Sequence, residues 1–145
     1  KNITISSEKE MSWHGHLLLG EQRKKVTDIV KSLQIKTPSL NQIVEKLSGG
    51  NQQKVILGRW LVKSDIKVLI VDEPTRGIDV GAKSEIYSIL DKLAQQGMAI
   101  IVFSSEMPEI LSMCDRIYVM REGRISGEFK REEATQEKLL EKSII

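Results

Sequence analysis

Two adjacent carboxylates at the end of an apolar run, Val68-Leu69-Ile70-Val71-Asp72-Glu73-Pro74, are the side chains here best suited to chemistry. The run is aliphatic and β-branched, so it reads as a strand buried on both faces, as in parallel sheets. Its carboxyl end is then the edge at which open α/β sheets bind ligands. Successive strand residues point to opposite sides, which gives the two acids different tasks. Asp72 suits Mg²⁺ through a coordinated water, and Glu73 suits the polarisation of a water for attack on a γ-phosphorus. Two acids ending a strand are also commonly no more than solvated loop residues.

A second constellation precedes it, Leu47-Ser48-Gly49-Gly50-Asn51-Gln52-Gln53-Lys54. A serine and two glycines lead straight into a helical apolar pattern. Free backbone N–H groups and the positive end of the helix dipole then face outward beside the Ser48 hydroxyl. Such a place binds phosphate, which can approach closely where no Cβ intervenes. The plainer reading is an N-capped helix after a turn. A third group, Gly77-Ile78-Asp79, presents another carboxylate in a tight turn, and Asp79 can equally cap the helix beginning near Gly81.

The elements that must position these groups follow from periodicity. Lys1 to Ser7 alternates like a strand, and Leu17 to Leu33 has helical spacing, ended by Thr37-Pro38-Ser39. Asn51 to Lys63 forms a second helix. Ala82 to Gln96 forms a third, closed by Gly97, and Met98 to Phe103 is a second buried strand. Strand, helix, strand is a βαβ unit, which requires a parallel sheet. A short helix from Pro108 to Met113, a hairpin of Arg116 to Met120 with Arg124 to Phe129 around Glu122-Gly123, and a helix from Thr135 to Ile145 complete the chain.

Composition narrows the alternatives. With 22 basic and 20 acidic side chains in 145 residues, a net charge of +2 argues against nucleic acid as a partner. Arg23, Lys24 and Lys25 read as a solvated helix face. The single Cys114 excludes an intrachain disulfide and reads as a small buried thiol. His14 and His16 are a weak metal signal. No apolar run approaches the ~20 residues of a membrane span.

Order and spacing of the three constellations resemble the ATP-binding-cassette nucleotide-binding domain, from about Asn41 to Phe129. Leu47 to Lys54 matches the family signature, Val68 to Glu73 its Walker B strand, and Pro74 to Val80 its D-loop. The wording of these motifs, with Ser104-Ser105-Glu106-Met107-Pro108-Glu109, is similar to the second cassette of the tandem ATPases that energise bacterial monosaccharide importers of the ribose, galactose and xylose type. A cassette protein acting on ribosomes or DNA is the alternative, and the balanced charge counts against it.

The resemblance implies an α/β fold: part of a P-loop NTPase core with a mostly parallel sheet flanked by helices, plus part of the helical signature subdomain. Residues 1–63 would belong to the latter and 64–145 to the α/β half. It implies ATP and Mg²⁺ as ligands, with Ser48, Gly49, Gly50, Gln52 and Asp79 toward nucleotide, Asp72 toward metal and Glu73 toward the attacking water. Ser48 to Gly50 would cap the γ-phosphate held by a partner cassette, either the first cassette of the same parent chain or a second copy. Permease subunits, and through them a periplasmic sugar-binding protein, would be further partners, placing the protein on the cytoplasmic face of the inner membrane.

Two departures matter. No Gly-x-x-x-x-Gly-Lys-Ser/Thr occurs in the sequence, so the phosphate cradle of Walker A is missing and the chain reads as a fragment, with weak or absent ATP binding and one sheet edge uncovered. At the position of the family's switch histidine stands Ser105, whose hydroxyl can donate a hydrogen bond but carries none of imidazole's charge or proton chemistry. That resembles a degenerate second cassette, in which hydrolysis falls mainly to the site completed by Ser48 to Gly50.

Overall fold

The aliphatic runs and helical stripes produce an alternating α/β chain, seen in a computed structural model that describes residues 2–7, 12–13, 16–63 and 65–144. Two short strands, β1 (Ser12–Trp13) and β2 (His16–Leu17), pair antiparallel ahead of α1 (Leu19–Ser32). A 3-10 turn (Val44–Lys46) leads to α2 (Gly49–Leu61). Next come β3 (Val68–Asp72), α3 (Val80–Gln95) and β4 (Ala99–Phe103). The last elements are α4 (Met107–Met113), β5 (Arg116–Arg121), β6 (Arg124–Lys130) and α5 (Gln136–Ile144).

The strands β3 and β4 pair with each other, bracketed by Ala99 N–H to Lys67 O at 2.9 Å and Glu73 N–H to Phe103 O at 2.8 Å. Both bonds advance in the same chain direction, so the ladder is parallel, as the intervening α3 requires. The strands β5 and β6 form an antiparallel hairpin with a bulge at Val119/Met120. Its turn residues Glu122 and Gly123 sit at φ 48° and 75°, the twist that matches flanking strands.

By contacts the chain divides into Lys1–Leu69 with Pro74–Ile100, and Ile70–Glu73 with Ile101–Ile145. In the first unit, Ile86 and Leu90 of α3 are fully buried, and Val55, Leu57, Leu33 and Ile35 join the core. Burying each such side chain is worth about 1.5–3 kcal/mol. In the second, Val71, Ile117 and Leu139 are buried, the last from α5, whose first turn is capped by Thr135 Oγ1 accepting the Lys138 N–H at 3.3 Å. This division by contact cuts the chain elsewhere than at residue 63, because α3 packs on α2.

Three sequence expectations need correction. Residues 2–7 form turns, not a strand, with Ile3 and Thr4 buried and Ser7 N–H bonded to Thr4 O at 3.0 Å. Nor is β3 buried on both faces: Leu69 and Val71 are covered, but Val68 and Ile70 are 54% and 62% exposed. Likewise Ile101 and Phe103 of β4 are each 47% exposed. One face of these strands is therefore solvent-exposed. The histidine pair is not tested: His14 lies outside the described residues, as does the side chain of His16. Arg23, Lys24 and Lys25 are exposed, as their spacing required. No described helix is long and apolar enough to cross a membrane.

Candidate functional site

The amino end of α2 is held by a polar chain. Ser48 is extended at φ −61°, ψ 154°, and its carbonyl accepts the Gln52 N–H at 2.9 Å, the first bond of the helix. Its hydroxyl makes no capping bond; Ser48 Oγ instead accepts from Asn51 Nδ2 at 2.8 Å. Asn51 is anchored in turn by the Lys36 N–H, which donates to Oδ1 at 2.7 Å. Gln52 turns inward to its own loop, donating from Nε2 to Leu47 O at 2.8 Å and Glu45 O at 3.4 Å. Ser48 and Gly49 are exposed and Gly50 is buried.

The glycines answer to packing as well as to access. A Cβ on Gly50 would lie 2.6 Å from the Ala82 Cβ, and one on Gly49 would lie 3.1 Å from Ile78 Cγ2. The signature loop thus rests directly on the turn that follows β3 in sequence. That turn contains Gly77 at φ 75°, and Asp79 caps α3 by accepting the Ala82 N–H at 2.9 Å. The structural role weighed for Asp79 in the sequence is real.

One turn further along α2, Lys54 is 1% exposed, and its ammonium donates to Glu85 Oε2 at 2.7 Å and to Gln34 O at 3.2 Å. Gln34 presents that carbonyl from a left-handed conformation, φ 51°, after α1. A second cation, Lys36, stands 3.6 Å from Glu85 Oε1. The hydrogen bond from Lys54 and its charge hold the Glu85 carboxyl below its ordinary value. Neither this pair nor Asn51 was legible as functional: Glu85 lies 31 residues from Lys54, and only a lysine set inside an apolar helical pattern hinted at a buried partner.

In the second unit Asp72 ends β3 exposed, and Glu73 turns to φ 44°. A left-handed non-glycine residue costs about 1–2 kcal/mol. Two hydrogen bonds offset it: the Glu73 N–H to Phe103 O, and the Ser105 N–H to Glu73 Oε1, each 2.8 Å. It is the main chain of Ser105 that meets the carboxylate. Ser104 Oγ supports the same loop by donating to Glu109 Oε2 at 3.3 Å and accepting the Glu106 N–H at 3.1 Å. Among the described residues no cluster of three or more His, Cys, Asp or Glu could hold a metal. Cys114 is half-buried and not fully buried as the sequence suggested, and burial raises its thiol above the ordinary range, which disfavours the thiolate.

The structure thus brings Gly49 and Gly50 against Gly77, Ile78 and Ala82, and Glu73 against Ser105. Against known proteins, the family model described as ABC transporter matches residues 1–76, a span that holds the signature loop, β3 and Glu73. The chain belongs to the ABC transporter family. Ser105 lies beyond that span but within the reach of curated relatives. An L-arabinose transport ATP-binding protein, AraG, of Geobacillus stearothermophilus is 56% identical over 142 residues, 97% of this chain and 27% of that protein. A ribose import ATP-binding protein, RbsA, of Clostridium tetani is 55% identical over 124 residues, 86% of this chain and 24% of that protein. The chain spans about a quarter of the length of these relatives. Among solved structures, MJ1267, an ATP-binding cassette of an ABC transporter, superposes with a TM-score of 0.80 over 97% of this chain and 60% of its own, at 23% identity. That likeness concerns the fold: this ABC cassette chain is α/β, with a parallel strand pair and flanking helices.

Proposed function

We propose that this chain is the signature-bearing and Walker B part of the ATP-binding subunit of a monosaccharide importer, coupling ATP binding and hydrolysis to sugar uptake. The observation that carries the reading is the identity of 55–56% to arabinose and ribose import ATP-binding proteins, sustained over 86–97% of the chain. Residues 1–63 then contribute the helical subdomain, and 64–145 the α/β half.

The chemistry divides between two sites. Ser48 and the N–H groups of Gly49 and Gly50 face a γ-phosphate bound by a partner cassette, where the α2 dipole and an exposed hydroxyl stabilise its charge. Gln52 serves indirectly, by tying Leu47 to the helix, and Asp79 by fixing the turn on which the loop rests. Mg²⁺, when bound with nucleotide, would neutralise phosphate charge beside Asp72. Glu73 would polarise water at this cassette's own nucleotide, held by the Ser105 main chain where related cassettes place a histidine side chain. Lacking that imidazole, the Glu73 site turns over slowly, and the site completed by Ser48 to Gly50 carries most of the hydrolysis. Permease subunits and a periplasmic binding protein are the partners this reading requires, at the cytoplasmic face of the membrane.

The test is uptake by vesicles carrying the complete importer, with ribose, arabinose and xylose offered in turn. ATP-dependent uptake of one of them, stimulated by its binding protein, is the expected result. ATP hydrolysis that no sugar or permease stimulates but nucleic acid does would overturn the reading.

A further inference from the structure

The proton on Ser48 can be located by elimination. The Lys36 main-chain N–H can only donate, so the Asn51 side-chain atom 2.7 Å away is the carbonyl oxygen. The other terminus is then the amide NH₂, and at 2.8 Å it donates to Ser48 Oγ. A serine hydroxyl holds one proton and two lone pairs; with one lone pair engaged by Asn51, the proton points away from Asn51. Ser48 is exposed, so that proton is left for an acceptor arriving from solvent.

We infer that Asn51 is a positioning residue: through the relay Lys36 N–H, Asn51 amide, Ser48 Oγ it presets the Ser48 hydroxyl as a donor toward an incoming phosphate. The inference rests on the phosphate-capping role proposed for Ser48 and adds the residue that orients it. A hydroxyl fixed in advance needs no reorganisation as charge builds on the transferring phosphoryl group, so the benefit falls on the chemical step. A freely rotating serine would spend part of its time as an acceptor facing the phosphate, which repels it.

Asn51→Asp keeps the acceptor for the Lys36 N–H but can no longer donate, and its second oxygen draws the Ser48 proton inward. Asn51→Leu, uncharged and equally unable to donate, separates this from a charge effect. Both are made in the complete ATPase, with the cassettes paired, in wild-type and Ser48→Ala backgrounds, after melting curves establish that each variant is folded. With Ser48 present, each lowers kcat roughly tenfold with KM within about twofold, less than the ~10²–10³ lost with a transition-state donor itself, because the Ser48 hydroxyl remains. With Ser48→Ala, each changes kcat by less than about threefold. Equal losses in both backgrounds, or no loss with Ser48 present, overturn the positioning role. If Ser48→Ala alone leaves hydrolysis unchanged, the phosphate-capping role of Ser48 falls first, and Asn51 has nothing to position.

Discussion

The main-chain N–H of Ser105 meets Glu73 Oε1 at 2.8 Å, so Ser105 holds the carboxylate by its backbone. Ser105→Ala keeps that bond, and its stability stays within about 0.5 kcal/mol of the parent in urea denaturation. Ser105→Pro removes the donor and costs about 1–3 kcal/mol, the penalty of an unmade bond to a charged acceptor. Equal effects of the two would show that the main-chain bond contributes nothing measurable.

Gly50 and Ala82 are in contact across α2 and α3, with room for only one Cβ between them. Gly50→Ala therefore costs about 1–3 kcal/mol by overpacking. Ala82→Gly in the same chain opens the space again, and the double variant recovers at least half of the loss despite glycine's own entropic cost of ~1 kcal/mol. Denaturant midpoints of the four proteins in the cycle measure the coupling, and strict additivity would contradict the packing account.

The Lys54 ammonium lies buried against a Glu85 carboxylate whose side chain is 44% exposed. Screening at the exposed partner moderates the pair, so Glu85→Gln costs about 1–2 kcal/mol where a fully buried break would cost more. Because the folded-state Glu85 carboxyl is held below its ordinary value of 4.5, its contribution is present above that pH and lost as pH falls through the lowered value. Stability measured from pH 6 downward therefore declines in the parent, and Lys54→Met removes this group's share of the decline. An unchanged acid slope in Lys54→Met would sink the assignment.

Much of this was legible locally. Helix ends near Ser32 and Gln95, the cap at Asp79 and the turn at Glu122-Gly123 follow from periodicity and short-range hydrogen-bonding chemistry, which sequence displays directly. Burial was not legible in the same way. Val68 and Ile70 have the composition of a two-sided core strand, yet whether a face is covered depends on what lies over it, which local pattern does not encode. The turn at residues 2–7 failed for a related reason: Ile3 and Thr4 are buried by tertiary contacts that an alternating heptapeptide cannot reveal. At the site, Ser48 and the two carboxylates stood out as candidates by type and spacing. The groups that hold them were not, because Lys36 lies 15 residues from Asn51 and Ser105 lies 32 from Glu73.

The division of labour between the two sites gives the most direct test. Ser48→Ala and Glu73→Gln should be compared in the complete ATPase by steady-state hydrolysis at saturating ATP and Mg²⁺. Gln retains the oxygen that accepts the Ser105 N–H, so Glu73→Gln changes basicity with little change in fold. The account predicts a loss of roughly tenfold or more for Ser48→Ala, and less than about threefold for Glu73→Gln. A collapse of hydrolysis on Glu73→Gln, with Ser48→Ala near the parent rate, would contradict it.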